Sequence, residues 1–212
     1  IDTAGIRRKG RTRALLDKYS VIMALKALDR CDIAVLVLDA AEGVAEQDAT
    51  IAGYAYERGR GCLLVSNKWD LAQKQIGSFK EWEQQARNKI RFLEFVPIHP
   101  VSAKTGWGVP DLLSKVEEVY REYTRKVPTA RLNEAMNQAV EKNPMSSYRG
   151  KFLKMFYTTQ IKSAPPTFRC FVNYPEGIHF SYQRYLINSL RKAFGFSGTP
   201  VRLIFSRRRG EP

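Results

Sequence analysis

Cysteine is scarce in this sequence: Cys31, Cys62 and Cys170 are the three in 212 residues. They lie far apart and form no CxxC pair, so neither a zinc site nor a disulfide framework is indicated. Each reads as a buried thiol in a reducing compartment. Histidine is scarcer still. His99 and His179 lack a metal-ligand spacing, and neither is assigned a catalytic role. No apolar run approaches the ~18 residues of a membrane span, and no charged-then-apolar leader opens the chain. These absences predict a cytoplasmic chain with no membrane span. Acidic residues are also few, 21 Asp+Glu against 35 Lys+Arg, for a formal charge of +14. Such an excess suits an acidic polymer as partner, although a basic surface can also serve only solubility.

What is present is an ordinary globular composition, 44% hydrophobic and 26% charged, which argues against disorder. The length suits one large domain or two small ones. A division is expected at Val127-Pro128. Residues 1–127 hold 21 basic and 17 acidic residues, whereas residues 128–212 hold 14 and 4. The excess charge therefore belongs to the last 85 residues. The chain also starts at Ile1 with motif material at once, which reads as the tail of a longer protein.

The first part alternates strands and helices. Residues 33–38, 63–65 and 95–98 form apolar runs that suit parallel strands buried on both faces. Helical patterns cover residues 14–28, 46–57, 78–92 and 110–125, the last with Leu112, Val116, Val119 and Tyr123 on one stripe. This alternation predicts a doubly wound α/β sheet. The second part predicts a small α+β domain in the order α-β-β-α-β, a three-stranded sheet backed by helices. Thr129 is expected to cap its first helix and Ser181 its second. Its strands are predicted at 151–162, 167–174 and 200–206. By alternation Tyr157, Phe168, Tyr174 and Phe205 are assigned to the core.

Three motifs stand out in the first part. Asp2-Thr3-Ala4-Gly5 opens the chain, Asn67-Lys68-Trp69-Asp70 ends the second strand, and Ser102-Ala103-Lys104 ends the third. Open α/β sheets bind ligands at the carboxyl ends of their strands. The chemistry fits guanine. An Asp70 carboxylate can accept from both N1–H and the exocyclic amine, a donor pair that adenine lacks. Asn67 can tie the loop and reach the base edge, the Lys68 stem can cover one ring face, and the Ala103 N–H can donate to O6. Asp2 would hold Mg²⁺, directly or through water, and the Gly5 N–H would meet a γ-phosphate where a side chain would collide. Taken singly, DxxG is a surface turn and SAK is weak; it is the ordered set that carries the reading. Ser102 has no nearby base and reads as a loop former.

The three motifs together resemble a translation-factor-type GTPase domain. The stretches 2–11, beginning Asp2-Thr3-Ala4-Gly5-Ile6-Arg7-Arg8-Lys9, and 39–48, beginning Asp39-Ala40-Ala41-Glu42-Gly43, are more particular. With Pro165-Pro166-Thr167-Phe168, the run His179-Phe180-Ser181-Tyr182-Gln183-Arg184-Tyr185-Leu186 and the stretch 194–200, they closely resemble the Der (EngA) family of bacterial ribosome-biogenesis GTPases. The resemblance covers essentially the whole chain. It implies two tandem GTPase domains followed by a KH-like domain. The chain then corresponds to most of the second GTPase domain, residues 1–127, and the KH-like domain, residues 128–212. It further implies GTP/GDP and Mg²⁺ as ligands, and the large ribosomal subunit and its rRNA as partners. An N-terminal GTPase domain of the same chain and a monomeric state are likewise expected.

No GxxxxGK[ST] loop occurs in the 212 residues, so the phosphate-cradling backbone, its lysine and its Mg²⁺-binding hydroxyl are missing from them, as is the switch I threonine. Only the last three strands of a roughly six-stranded sheet are then expected, with a bare apolar edge. Ile6 stands where Ras-like enzymes use glutamine to position water. The resemblance implies that a cation such as K⁺, or another element, supplies the help isoleucine cannot; the other reading is that Ile6 only packs. Arg7, Arg8 and Lys9, with Arg11 and Arg13, lie in the would-be switch II. They read either as a solvated face or as a nucleotide-gated contact with RNA or with the KH-like domain.

The second part carries 13 aromatics besides its charge. Arg149, Lys151, Lys154 and Lys162, then Arg184, Arg191 and Lys192, then Arg207, Arg208 and Arg209 are candidate RNA contacts, since Lys and Arg on phosphate supply sequence-independent affinity. KH domains read single strands with a GxxG loop between two helices. Here Gly195-Phe196-Ser197-Gly198 joins the last helix to the last strand and reads as a cap and a turn. The leading reading is a GTPase of ribosome assembly. The alternative is a non-enzymatic RNA-binding module with a vestigial nucleotide domain, and a DNA binder is a third, without a helix-turn-helix signature. An in-frame phosphate loop encoded upstream of Ile1 favours the first over the second. The 212 residues alone are expected to bind guanine nucleotide poorly and not to hydrolyse it. Micromolar GTP affinity with turnover, measured by titration and phosphate release, is the contrary result.

Overall fold

Seven consecutive residues without a charge, Gly61–Asn67, form strand β2, the buried centre of a three-stranded parallel sheet in the computed structural model. The structure describes residues 14–207, with side chains from Ile22 onward. β1 (Ile33–Asp39) pairs with β2 along its whole length, Ile33 opposite Gly61 and Asp39 opposite Asn67. β3 (Ile98–Pro100) pairs with its other edge. Helices α1 (Ala14–Arg30), α2 (Glu46–Glu57), α3 (Trp69–Ile76), α4 (Phe79–Lys89) and α5 (Leu112–Tyr123) complete this region. The chain divides into two compact units between Arg121 and Glu122.

The two sheet faces are covered differently. On one, Ala34, Leu38, Cys62 and Leu64 meet Leu28, Ala52, Trp69, Trp82 and Ala86 from four helices. Burying a large apolar side chain stabilises by about 1.5–3 kcal/mol, so this cluster dominates the first unit. Trp82 adds a buried hydrogen bond, its Nε1–H donating to the Ala40 carbonyl at 2.8 Å. On the opposite face Leu63 and Val65 are covered by Leu112 and Val116 of α5. Val35 and Val37, registered beside them on β1, are 39% and 63% exposed. Among the described residues β1 is an edge strand.

Several elements differ from the sequence expectation. α3 was absent from it; its eight residues fit between Lys68 and the break at Gly77-Ser78. The third strand is Ile98–Pro100 rather than 95–98, because the chain first makes a 3-10 turn, Arg91–Leu93. The Arg87 guanidinium holds that approach, donating to the carbonyls of Leu93 at 3.1 Å and Val96 at 2.7 Å. Cys62 and Cys170 are buried, and burial pushes their thiols up to about 12 and about 11. Cys31 is only half-buried.

The second unit is α+β. α6 (Thr129–Lys142) and α7 (Phe180–Phe194) cover one face of a sheet ordered β6-β7-β8, namely Met155–Ser163, Pro166–Val172 and Arg202–Arg207. β7 runs antiparallel to β6 and parallel to β8. Leu132, Met136, Phe168, Cys170, Leu186, Leu190, Phe196 and Leu203 fill the core. A two-residue-a-side hairpin, β4 (Ser147–Tyr148) and β5 (Lys151–Phe152), precedes the sheet. It replaces the first part of the single strand expected from 151 to 162.

That strand also carries two register shifts, between Met155 and Tyr157 and between Gln160 and Lys162. A bulge inserts a residue and turns later side chains to the other face. Thr158 is therefore buried, while Tyr157 and Ile161 are 42% and 43% exposed. Tyr157 is not core; it stacks on Phe171, ring centroids 4.3 Å apart. Neither expected cap holds. Pro128 occupies the cap position of α6, with Thr129 as the first helical residue. At α7, His179 Nδ1 accepts the Ser181 N–H. The unit boundary falls before 127 because the end of α5 and the linker bind the second unit. Glu122 Oε2 accepts the Phe196 N–H at 2.7 Å, and the Gln160 amide bonds Arg125 O and Val127 N.

Gly195 ends α7 at φ +91, and a Cβ there would lie 3.1 Å from Glu122 Oε2. Gly195→Ala is expected to destabilise the second unit by about 1–3 kcal/mol, measured as a lowered midpoint of thermal or urea unfolding.

Candidate functional site

The carboxyl ends of all three strands of the first unit converge. β2 ends at Asn67, and Lys68 follows in the left-handed conformation, φ 63 and ψ 33. That conformation costs an L-residue roughly 1–2 kcal/mol. It is offset by the Asn67 side-chain oxygen, which accepts the Lys68 N–H at 2.7 Å and the Ala103 N–H at 3.0 Å. One oxygen thus holds the β2–α3 junction and the loop after β3 together. Backbone bonds from Trp69 N to Val101 O and from Val101 N to Ser66 O, 3.0 and 2.9 Å, close the same seam.

Asp70 lies in the first turn of α3, where a carboxylate is favoured by the exposed helix N–H groups. The Ser102 hydroxyl, buried at 1% exposure, donates to Asp70 Oδ1 at 2.7 Å. Among the described residues no hydrogen bond reaches Asp70 Oδ2. Ser102 is therefore more than a loop former: it holds one oxygen of the Asp70 carboxylate. Its own oxygen also accepts the Thr105 N–H at 3.3 Å. The Ala103 N–H, expected to donate to a base carbonyl, is donated to Asn67 instead. Ala103 and Lys104 are exposed.

The loop after Ser102 is a tight return. Ser102 N donates to Trp107 O at 2.9 Å, and His99 Nε2 donates to Gly108 O at 2.8 Å. Gly108 has φ +73, and a Cβ there would sit 2.5 Å from the Pro100 carbonyl, so only glycine fits. His99 thus has a structural task beside the site.

One participant was missed by sequence reasoning. Asp39 ends β1, and its Oδ2 accepts from Lys68 Nζ at 2.6 Å. Its Oδ1 accepts the N–H groups of Ala41 at 3.0 Å and Glu42 at 3.3 Å. Partial burial works to raise this carboxyl, but the Lys68 hydrogen bond and charge and the two backbone donors outweigh it and hold it below the ordinary range. The same contact raises the Lys68 ammonium. The available signal was an acidic residue at the carboxyl end of a strand.

Asp2, Thr3, Ala4, Gly5, Ile6, Arg7, Arg8 and Lys9, with Arg208 and Arg209, lie outside the described residues. Among the described residues no group of three or more His, Cys, Asp and Glu could hold a metal ion, and no helix is long and apolar enough to cross a membrane. In the second unit Lys151, Lys154, Arg184, Lys192 and Arg207 are exposed. Arg191 is turned inward: its guanidinium donates to the carbonyls of Phe196 and Thr199, both at 2.7 Å. It clamps the Gly195–Gly198 turn and leaves the set of surface cations.

The folded chain releases the Asp39 proton more readily than the unfolded chain does. The pair therefore adds stability above the ordinary aspartate range, and this is lost as pH falls through the lowered folded value. Asp39→Asn is expected to flatten the acid side of the stability-against-pH curve, read from thermal midpoints between about pH 3 and pH 7.

Two family descriptions match consecutive parts of the chain. Residues 19–122 match the elongation factor Tu GTP binding domain. Residues 126–206 match the KH-domain-like region of EngA bacterial GTPase enzymes, C-terminal. Full-length relatives named GTPase Der agree. That of Syntrophotalea carbinolica is 51% identical over 208 residues. Those of Citrifermentans bemidjiense and Caldanaerobacter subterraneus are 48% identical over 208 and 46% over 211. These alignments take in 98–100% of this chain but 47–48% of each relative, so the chain spans about half the length of the proteins it matches. With an α/β unit of GTP-binding-domain type followed by a KH-like unit, the chain belongs to the Der (EngA) GTPase family.

Proposed function

We propose that this chain is the carboxyl-terminal part of a protein that binds and hydrolyses GTP in assembly of the large ribosomal subunit. Residues 1–127 are assigned to its second GTPase domain and residues 128–212 to its KH-like domain. The observation that carries the nucleotide reading is the held carboxylate of Asp70. Ser102 fixes Oδ1, and Oδ2 is left to accept from a base edge beside Asn67 and the Lys68 stem.

Each residue has a definite task in this reading. Asp70 accepts from N1–H and the exocyclic amine of guanine. Asn67 keeps the two base-reading loops at a fixed separation. Asp39 anchors Lys68, so the lysine stem is presented to the ring without an entropy penalty at binding. Asp2, a hard oxygen donor suited to Mg²⁺, would hold that ion directly or through water, and the Gly5 N–H would meet the γ-phosphate. When bound, that ion would supply positive charge against the nucleotide phosphates. Ile6 cannot orient water, so an activating cation, K⁺ by the family resemblance, is assigned that help.

RNA contact is assigned to the exposed cations of the second unit, Lys151, Lys154, Arg184, Lys192 and Arg207, with Arg7, Arg8, Lys9, Arg208 and Arg209. A cytoplasmic monomer that contacts rRNA completes the proposal. The alternative, an RNA-binding module without turnover, shares these cations and differs at Asp70.

Asp70→Asn distinguishes them in a protein of the relatives' full length. A carboxamide presents an N–H to the base edge and so complements xanthine, whose C2 carbonyl replaces the guanine amine. GTP binding should fall by ~100-fold or more, and xanthosine triphosphate should become the preferred ligand. Unchanged GTP affinity overturns the assignment.

A further inference from the structure

One end of the second unit combines exposed rings with cations more densely than the RNA reading requires. The hairpin β4–β5 turns at Arg149 and Gly150, whose φ values are 50 and 74. Both central residues at positive φ define the tight turn that matches strand twist. The hairpin carries Phe152 on its outgoing strand, opposite Ser147. Phe152 is 86% exposed, the most exposed large hydrophobic residue among those described.

The hairpin is anchored at its base. Asn173 Nδ2 donates to the Phe152 carbonyl at 2.8 Å, and Asn173 Oδ1 accepts the Lys154 N–H at 2.9 Å. The Tyr148 ring packs so closely on Gly177 that a Cβ there would lie 2.8 Å from it. Three residues beyond Gly177, Phe180 opens α7, itself 63% exposed. Two unburied phenylalanines thus flank one short segment, residues 173–177. A single exposed ring needs no explanation, but exposed apolar side chains gathered in one patch mark interaction surfaces.

Cations lie over three of the rings around this segment, Tyr148, Tyr174 and Phe180. Arg149 lies over Tyr148, Lys151 and Arg207 both lie over Tyr174, and Arg184 lies over Phe180, at 5.2 to 5.8 Å. Between residues 142 and 210 the sequence holds 13 basic residues and one acidic residue, Glu176. Arg207 neutralises that carboxylate at 2.7 Å. The patch is therefore positive, rigid and ringed with π faces. Unpaired nucleotides offer its complement, phosphates at regular spacing with unstacked bases between them. Paired duplex hides its base faces, and an acidic protein surface offers charge without rings.

We propose that this end of the unit binds single-stranded RNA, with bases stacked on Phe152 and Phe180 and phosphates met by Arg149, Lys151, Arg184 and Arg207. The site lies away from the Gly195–Gly198 turn, where Phe196 is fully buried and Arg191 and Glu122 occupy the backbone. The inference rests on the RNA reading above and adds to it the strandedness of the ligand and the two rings that read it.

The test is fluorescence anisotropy of the 212-residue chain with a labelled RNA of about a dozen mixed nucleotides, single-stranded and annealed to its complement. The single strand should bind more tightly than the duplex. Phe152→Ala and Phe180→Ala should each weaken it by about 5- to 150-fold, and Phe152→Trp should retain binding. Lys151→Gln should reduce the log–log salt slope by about 0.7. Both phenylalanines lie outside the core cluster, and circular dichroism checks that the variants fold. Loss with Lys151→Gln but not with either alanine variant overturns stacking and leaves the basic-surface reading intact. Equal affinity for duplex overturns it likewise. No binding of either RNA overturns this inference together with the RNA reading on which it stands.

Discussion

The side-chain oxygen of Asn67 sits at the end of a strand buried on both faces and receives two backbone N–H groups from different loops. A strand so enclosed cannot slide or tilt without exposing Leu63, Leu64 and Val65, so its last residue is a fixed point. From that point Lys68 is held in the left-handed conformation, which swings α3 into place and sets Asp70 against Ser102. The same oxygen draws in Ala103, and so the loop after β3. Removing it would orphan two donors at once. The arrangement of these strand-end loops is therefore a consequence of core packing in β2, passed on through one carboxamide.

Asp39 extends this arrangement to the third strand end. Its pairing with Lys68 joins a largely buried carboxylate to a half-exposed ammonium, and its stabilising contribution is modest. Its effect is orientational: a flexible lysine stem is tied across the strand ends. The held Asp70 oxygen, the anchored lysine and the tight Gly108 return form a preorganised edge, the kind of setting in which little freedom remains to be lost on binding a ligand.

In the second unit, inward and outward cations perform different work. Arg191 binds carbonyls of the Gly195–Gly198 turn, and Glu122 accepts an N–H from the same turn, so a segment resembling a nucleic-acid loop by sequence is a structural clamp. Arg149, Lys151, Arg184 and Arg207 lie instead over exposed or half-exposed rings. The bulges of β6 have a parallel effect on the sheet, sending Thr158 to the helices and Tyr157 to the open face. Charge and ring content therefore say little until the direction of each side chain is known.

The element pattern of both units was legible because it follows from local rules: continuous apolar runs for enclosed strands, helical stripes for the helices, and alternation in β7, where Phe168, Cys170 and Val172 share one buried face. The motif residues Asn67, Lys68, Asp70 and Ser102 were legible because their spacing places them at strand ends. Tertiary structure alone decided the rest. Bulges reversed the β6 faces, since a register shift depends on the partner strand and leaves no mark on the bulged sequence. The caps moved from Thr129 and Ser181 to Pro128 and His179, because the end of a helix is set by what its first turn packs against. Asp39 met Lys68 across 29 residues, and Arg191 met the turn after its own helix. Sequence determined which residues could do chemistry, by their side-chain groups and their periodicity; three-dimensional packing determined which of those groups face one another, because contact between distant residues is a property of the assembled core.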